Sequence, residues 1–383
     1  MFLEMTTRRN TALIEAAKNL HQSGAILPDT YILDLDTILT NAKSLKKQAD
    51  NSGIELFYMT KQIGRNPLVA KKLHEIGITN AVVVDFKEAE VMMEHNLPIG
   101  NIGHLVQIPY HMIEKVVNYN PNFITTYSME MVKYIDDIAK KNNKKQKLLI
   151  KVIEPDDEIY AGQYGGFHLN ELHALGELGQ KLTNVEIAGL TSFPCFLLDN
   201  EDFELTHNVE TIKQAKEILE SYDLKINELN MPSATCVSTI PIIKKLGGTQ
   251  GEPGHALTGT TPLHAKRELA EIPAMVYVSE VSHNLDGEAY FYGGGYYPRG
   301  HLENALVSHG KELVNDKVEL FNNENIDYYL QMQHEHPVGS TVITAFRTQI
   351  FVTRSDVAVV SGIQNGQLKI EGVFDSSGNL KRR

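Results

Sequence analysis

IELFYMTKQIGRNP, residues 54–67, runs from an apolar, aromatic stretch of β-strand composition into Thr60 and Lys61, then into a Gly-containing turn and a proline. A lysine is rarely buried unless it is paired or used. At the end of a buried strand two readings are open. Lys61 snorkels its ammonium out to water, or its amine is a reactive group. The surrounding chain decides between them.

Short apolar runs alternate with amphipathic stretches on both sides of Lys61. Tyr31–Leu35 (YILDL), Ile54–Met59, Ala81–Val84, Ile102–Val106, Phe123–Thr126, Leu148–Ile153, Val185–Thr191 and Ile226–Met231 read as strands. Between them lie helical patterns, such as Ile38, Leu39, Ala42, Leu45 and Ala49 in 38–51, and a helix from Ser128 to Lys140 with Ser128 as its N-cap. Such alternation implies a parallel sheet with crossover helices. Eight units favour a closed (β/α)8 barrel over an open doubly wound sheet. No GxGxxG follows the first strand, which argues against a dinucleotide fold. Beyond about residue 270 the pattern changes: Ala274–Val281, Ala289–Phe291, Ser340–Phe346, Gln349–Val352, Asp356–Val360 and Leu368–Ile370 read as strands without long helices between them. The expected organisation is α/β: an N-terminal segment 1–28 that packs on the barrel or on the C-terminal domain, a barrel over 29–268, and a mostly β domain over 269–383.

The chain has 383 residues, enough for two domains, and a formal net charge of −12. That charge disfavours nucleic acid and anionic membranes, whose phosphates need a basic face. No window approaches the length of apolar chain that spans a bilayer. The start MFLEMTTRRN carries no signal-peptide pattern, and Cys195 and Cys236 form no framework of paired cysteines. A cytoplasmic protein with reduced thiols is expected.

Barrels collect function at the C-terminal ends of their strands. Lys61 sits at such an end. Two further ends are unusual: NMPSATC at 230–236 and GTQGEPGHALTG at 248–259. Ser233 and Thr235 offer hydroxyls, and Gly251, Gly254 and Gly259 let backbone N–H groups come close to a ligand. Taken alone, Gly-rich loops are usually turns. Beside a lysine, and without a metal motif, they suit a phosphate cradle and a Schiff base. Pyridoxal 5′-phosphate (PLP) carries both the aldehyde and the phosphate, and Glu252 in EPGH is a candidate partner for its pyridine nitrogen.

At these residues the sequence resembles the fold-type III PLP enzymes, the alanine racemase-like and basic amino-acid decarboxylase-like group, nearest its YhfX-like branch. The resemblance covers most of the chain. It implies that Lys61, opening KQIGRNP, is the cofactor lysine, and that Arg65 touches the phosphate where racemases use a tyrosine. It also implies that Ser233 binds the phosphate, with Gly254 and His255 as the two backbone donors of the racemase RPGI motif. Glu252 then replaces the racemase arginine. A carboxylate there stabilises a protonated pyridine and makes the ring a stronger electron sink, as in the decarboxylases. FYGGGYYPR (291–299) is similar to a GYADGYPR-like stretch whose first tyrosine serves as second acid/base across a dimer interface. Tyr292 is the preferred match and Tyr296 the other; a plain reading is aromatic packing around a Gly turn. Phe193 stands where relatives place a histidine against the ring, and Tyr164 near the racemase arginine.

QHEHPVGSTVITAFRTQ (333–349) is faintly similar to the D-threonine aldolase and D-serine dehydratase group, which binds a divalent metal near this place. Arg347 and Gln349 occupy the ligand positions here, so no catalytic metal is expected. Arg347, with Tyr296 and Arg299, is instead expected on the substrate side, and His334 and His336 are expected as loop histidines. The resemblance implies a homodimer with a shared active site, acting on a small-molecule amino-acid substrate. Racemisation by Lys61 and Tyr292 on opposite faces is the leading reading. A decarboxylase is supported by Glu252, but the C-terminal region has no cysteine for the decarboxylase loop. A D-hydroxyamino-acid lyase and a non-catalytic PLP-binding protein are the remaining alternatives.

Overall fold

A computed structural model describes residues 1–198 and 203–383. The described residues fall into two compact units: Leu45–Thr60 with Ala70–Gly254, and Met1–Ser44 with Lys61–Val69 and His255–Arg383.

The former unit is built on a closed parallel barrel. Its strands are Glu55–Met59, Asn80–Val83, Ile99–Ile102, Phe123–Thr126, Gln146–Lys151, Val185–Thr191, Glu228–Asn230 and Gln250–Gly251. The last closes onto the first, with Gln250 opposite Glu55 and Gly251 opposite Leu56. Phe57 and Phe123 meet with ring centroids 6.2 Å apart. Gly100 leaves room for this packing, since a Cβ there would fall 2.5 Å from the Phe57 ring. The outer helices start where polar side chains satisfy their first N–H groups. Asp85 accepts from Glu88 N at 2.8 Å, and Ser128 caps Met129–Lys141 by accepting from Met131 N. In the latter helix Val132, Ile135, Ile138 and Ala139 are buried at helical spacing.

The other unit is built on a mixed sheet. Its main path runs Glu312–Lys317, Asn304–His309, Thr341–Thr344, Met275–Leu285, Thr30–Asp34, Asp356–Ser361, Lys369–Phe374 and Leu380–Arg382. Glu288–Tyr292 pairs with both Met275–Leu285 and Tyr329–Met332. Two helices, Phe2–Arg9 and Thr11–Gln22, bring Phe2, Leu13, Ile14 and Ala17 into one core with Ile32, Val276, Val278, Ile343 and Val360 of the sheet.

The YILDL strand corrects the sequence reading. Thr30–Asp34 is not a barrel strand: it lies in the mixed sheet, antiparallel to Met275–Leu285 and parallel to Asp356–Ser361. All five of its residues are buried. A strand covered on both faces reads as a continuous apolar run in either setting. The strand at Glu228–Asn230 is therefore seventh in the barrel, and the eighth is the two-residue Gln250–Gly251. Expected strand Ile102–Val106 lies earlier, at Ile99–Ile102, and expected strand Gln349–Val352 is a 3₁₀ turn closed by Thr353 N–H on Ile350 O.

Candidate active site at the strand ends

All eight barrel strands run the same way, so the residues that follow them gather at one rim. Within the barrel unit this places His104, Tyr127, Lys151, Phe193, Ser233, Thr235 and Glu252 at the strand ends. Lys61 follows the first barrel strand by two residues and opens the 3₁₀ turn Lys61–Ile63.

Glu252 is a carboxylate only 4 % exposed. Asn230, at the end of the seventh strand, donates to its Oε1 at 2.9 Å. Asn230 also donates to Gln250 Oε1 at 3.1 Å and accepts from the Thr191 hydroxyl at 2.8 Å. That hydroxyl stands 3.4 Å from His104 Nδ1. The backbone N–H of Glu252 is taken by Thr235 Oγ1 at 2.9 Å. A buried carboxylate held this way is fixed in place, and its chemistry calls for a cationic or N–H partner.

Ser233 is buried, and its Oγ accepts from Cys195 N at 2.6 Å and Phe196 N at 3.2 Å. It thereby ties the turn after the seventh strand to the loop after the sixth. Ala234, next to it, has φ of +36°. A non-glycine residue seldom adopts such a backbone, so the PSATC turn is held in a strained shape. Gly251 meets Thr235 closely: a Cβ there would lie 3.0 Å from Thr235 Cγ2. Phe193 makes edge contacts with His104 and Tyr160, at 5.8 and 5.3 Å between centroids.

Lys151 is a strand-end lysine that the sequence reading passed over. It is 4 % exposed, donates to Gln163 O at 3.0 Å and lies 4.7 Å above the Tyr127 ring. Burial brings its ammonium down to about 8. The signal was present in LLIKVI, a lysine inside an apolar run, the same kind of signal as at Lys61. Asn230 and His104 were likewise not singled out.

The other unit carries Lys61, His255, Arg299 and Arg347. Arg347 Nε donates to His255 Nε2 at 3.2 Å, so Nδ1 carries the ring proton and faces Thr260 Oγ1 at 3.2 Å. Burial, then Arg347, Lys61, His264 and Arg299, hold the His255 imidazole well below its ordinary range. Nearby in sequence, His264 and Glu271 form a fully buried pair at 3.3 Å.

Several expected residues have other surroundings. Tyr164 is 71 % exposed, next to Gln163, whose carbonyl accepts from Lys151. Arg65 has φ of +52° and lays its guanidinium 5.0 Å over the Phe351 ring. Tyr292 lies at the end of Glu288–Tyr292 with its ring 5.8 Å from Tyr329, and its carbonyl accepts from Ser279 and Tyr277. Tyr296 donates to Asn323 Oδ1 at 3.1 Å and packs on Phe321. His334 and His336 both bond to Asp316, at 2.8 and 2.9 Å, and His336 continues to His309 at 2.9 Å. Among the described residues no group of three or more His, Cys, Asp or Glu side chains is placed to hold a metal ion. None of the described helices is long and apolar enough to cross a membrane.

Comparison with known proteins agrees with the fold. Residues 33–262 match the alanine racemase N-terminal domain, and residues 276–370 match the YhfX-like C-terminal domain. The chain is 43 % identical to YhfX of Escherichia coli (strain K12), itself described as uncharacterized, over 99 % of each chain. Among solved structures, a Clostridium difficile 630 alanine racemase in complex with cycloserine superposes with a TM-score of 0.67 at 16 % identity, covering 91 % of this chain and 99 % of that one. D-Threonine aldolase from Filomicrobium marinum gives 0.66 at 12 % identity, over 91 % and 95 %. The arginine decarboxylase of Paramecium bursaria Chlorella virus gives 0.63 at 11 % identity, over 91 % and 99 %.

Proposed function

We propose, for a chain that belongs to the alanine racemase-like family in its YhfX-like branch, that it is a PLP enzyme acting at the Cα of an amino acid, foremost a racemase. The observation that carries this reading is Glu252, a buried carboxylate fixed by Asn230 and Thr235 at the end of the last barrel strand. As a hydrogen-bond acceptor it suits a protonated pyridine nitrogen, whose N–H would donate to it. The Ser233–Thr235 turn, with the N–H groups of Gly254 and His255, suits a phosphate, and Lys61 supplies the amine. When bound, the cofactor would withdraw electrons from the substrate Cα.

The chain's own groups then have distinct tasks. Lys61 would hold the cofactor through its amine and would take or return the Cα proton on one face. Tyr292 of a second copy of the chain serves the opposite face, because racemisation needs an acid and a base on either side. Asn230 keeps Glu252 oriented. Phe193 offers an aromatic surface beside the ring. Glu252 equally favours a second reading, decarboxylation, in which the same electron demand is met by loss of the carboxylate.

The test is the visible absorption spectrum of the protein supplied with PLP, beside Lys61→Ala. A lysine-bound cofactor band in the wild type, absent from the variant, supports the reading; identical spectra would sink it. Solvent deuterium exchange at Cα over an amino-acid panel then separates the reactions. A racemase exchanges and loses chirality, a decarboxylase releases carbon dioxide, and a carrier does neither.

A further inference from the structure

Lys151 is a buried cation that the chemistry described so far does not use. It is 4 % exposed, and its ammonium meets two groups, the carbonyl of Gln163 at 3.0 Å and the face of the Tyr127 ring at 4.7 Å. No carboxylate among the described residues pairs with it, and burial is the cause of its lowered proton affinity. A buried charge is costly unless it is paired. Of the three N–H donors on the ammonium, the bond to Gln163 takes one.

The register of the barrel places this charge in the site. Lys151 ends the fifth barrel strand and lies opposite Thr191, the end of the sixth. Thr191 lies opposite Asn230 of the seventh, and Asn230 opposite Gln250 of the eighth. Residues paired in a parallel register share a face of the sheet. The side chains bear this out: the Thr191 hydroxyl donates to Asn230 Oδ1 at 2.8 Å, and Asn230 donates to Gln250 Oε1 at 3.1 Å. The same Asn230 amide donates to Glu252 Oε1 at 2.9 Å. Lys151 and Glu252 thus stand at the two ends of one polar row, a cation at the fifth strand and a carboxylate just past the eighth. Gln163 lies in the segment after the fifth strand, and Tyr127 follows the fourth, so the ammonium lies at the rim where the site residues gather.

In PLP the ring nitrogen, the ring oxygen and the arm that bears the phosphate sit on alternate atoms of one six-membered ring, so the three point to different parts of a rim. On the cofactor reading, Glu252 takes the nitrogen and the Ser233–Thr235 turn takes the phosphate. The ring oxygen is a phenol, and its anion calls for a cationic donor. We propose that Lys151 is that donor: its ammonium pairs with the ring oxygen and fixes the cofactor at a third point. This rests on the PLP reading. Gln163 and the Tyr127 ring hold the ammonium from two sides, which makes the contact directional.

The test is a cycle of four binding constants at pH 7. Wild type and Lys151→Met are each titrated with PLP and with 3-O-methylpyridoxal 5′-phosphate, whose ring oxygen cannot ionise. The wild type should prefer PLP about ten- to a hundredfold, as expected for a charge-assisted pair. Lys151→Met should lose that preference and bind the methyl ether as the wild type does. Lys151→Arg, which keeps the charge, should recover part of it. Comparing two ligands on one protein cancels any difference in the folded fraction. The same preference for PLP in wild type and Lys151→Met overturns the proposal, because the ammonium then does not meet the ring oxygen. A loss in Lys151→Met that falls equally on both ligands overturns it too, and assigns the lysine to the phosphate or to the fold. If the wild type takes up neither ligand, the cofactor reading fails and this proposal falls with it. If the wild type binds PLP without preferring it to the ether, this proposal alone falls.

Discussion

Replacing Lys151 by methionine should change how stability depends on pH in a calculable way. Burial lowers the ammonium from 10.5 to about 8. Between those values the unfolded chain holds a proton on Lys151 that the folded chain has released. Unfolding therefore takes up a proton, and stability rises with pH across that window. Below pH 8 the folded protein carries the cost of a buried charge; above 10.5 neither state carries it. At about 1.36 kcal/mol per pH unit, the full span is worth about 3 kcal/mol. The bond to Gln163 O and the Tyr127 ring offset part of the penalty at neutral pH, but they do not alter the sign of the slope. Methionine has the length of the lysine stem and no titration. The difference in unfolding free energy, wild type minus Lys151→Met, should be flat up to about pH 7.5 and then grow by up to about 3 kcal/mol by pH 10.5. Urea denaturation of the cofactor-free proteins in steps of one pH unit measures it, and groups common to both proteins cancel. Parallel curves from pH 7.5 to 10.5 would refute the reasoning, since they would mean that Lys151 titrates like a solvated lysine.

Two further substitutions probe other parts of the structure. Asn230→Leu removes the donor to Glu252 Oε1, and should destabilise the protein by about 1–3 kcal/mol and, on the proposed cofactor reading, weaken PLP binding; unchanged values for both would detach Asn230 from the role proposed for Glu252. In Asp29, burial raises the carboxyl to about 6, against bonds from Ser355 and Tyr277 that lower it. The folded state thus holds its proton more tightly, and stability should fall as pH rises from about 3.8 to about 6. Asp29→Asn should lack that fall, as thermal midpoints between pH 3.5 and 7 would show.

The strand-end position of Lys61 was legible because its signal is local: a lysine where an apolar run stops, followed by a turn. The strand–helix alternation was legible for the same reason, since each element carries its own periodicity. Thr30–Asp34 was misplaced because its partners, Met275–Leu285 and Asp356–Ser361, lie hundreds of residues away, and a strand does not encode which sheet it joins. The helix that follows completes a local pattern that looks like a barrel unit. Gln250–Gly251 was hidden because two residues cannot display a period of two. Residue type showed that Glu252 differs from an arginine; only the structure shows Asn230 and Thr235 holding it.

The placement of Thr30–Asp34 has a consequence for how the protein is made. Synthesis is vectorial, and this strand emerges from the ribosome ahead of the whole barrel. Its hydrogen-bonding partners, Met275–Leu285 and Asp356–Ser361, are both translated after the barrel strands. Until residue 285 has appeared both edges of this apolar strand lack a partner, and until residue 361 one of them still does, as does part of the sheet that covers the helices Phe2–Arg9 and Thr11–Gln22. Pairings of such long sequence separation form slowly, and open strand edges invite association between chains. The barrel strands are complete by Gly251 and have no such wait. A nascent chain stalled before Asp356 would therefore carry a barrel with all its strands and a Thr30–Asp34 strand with one edge still open.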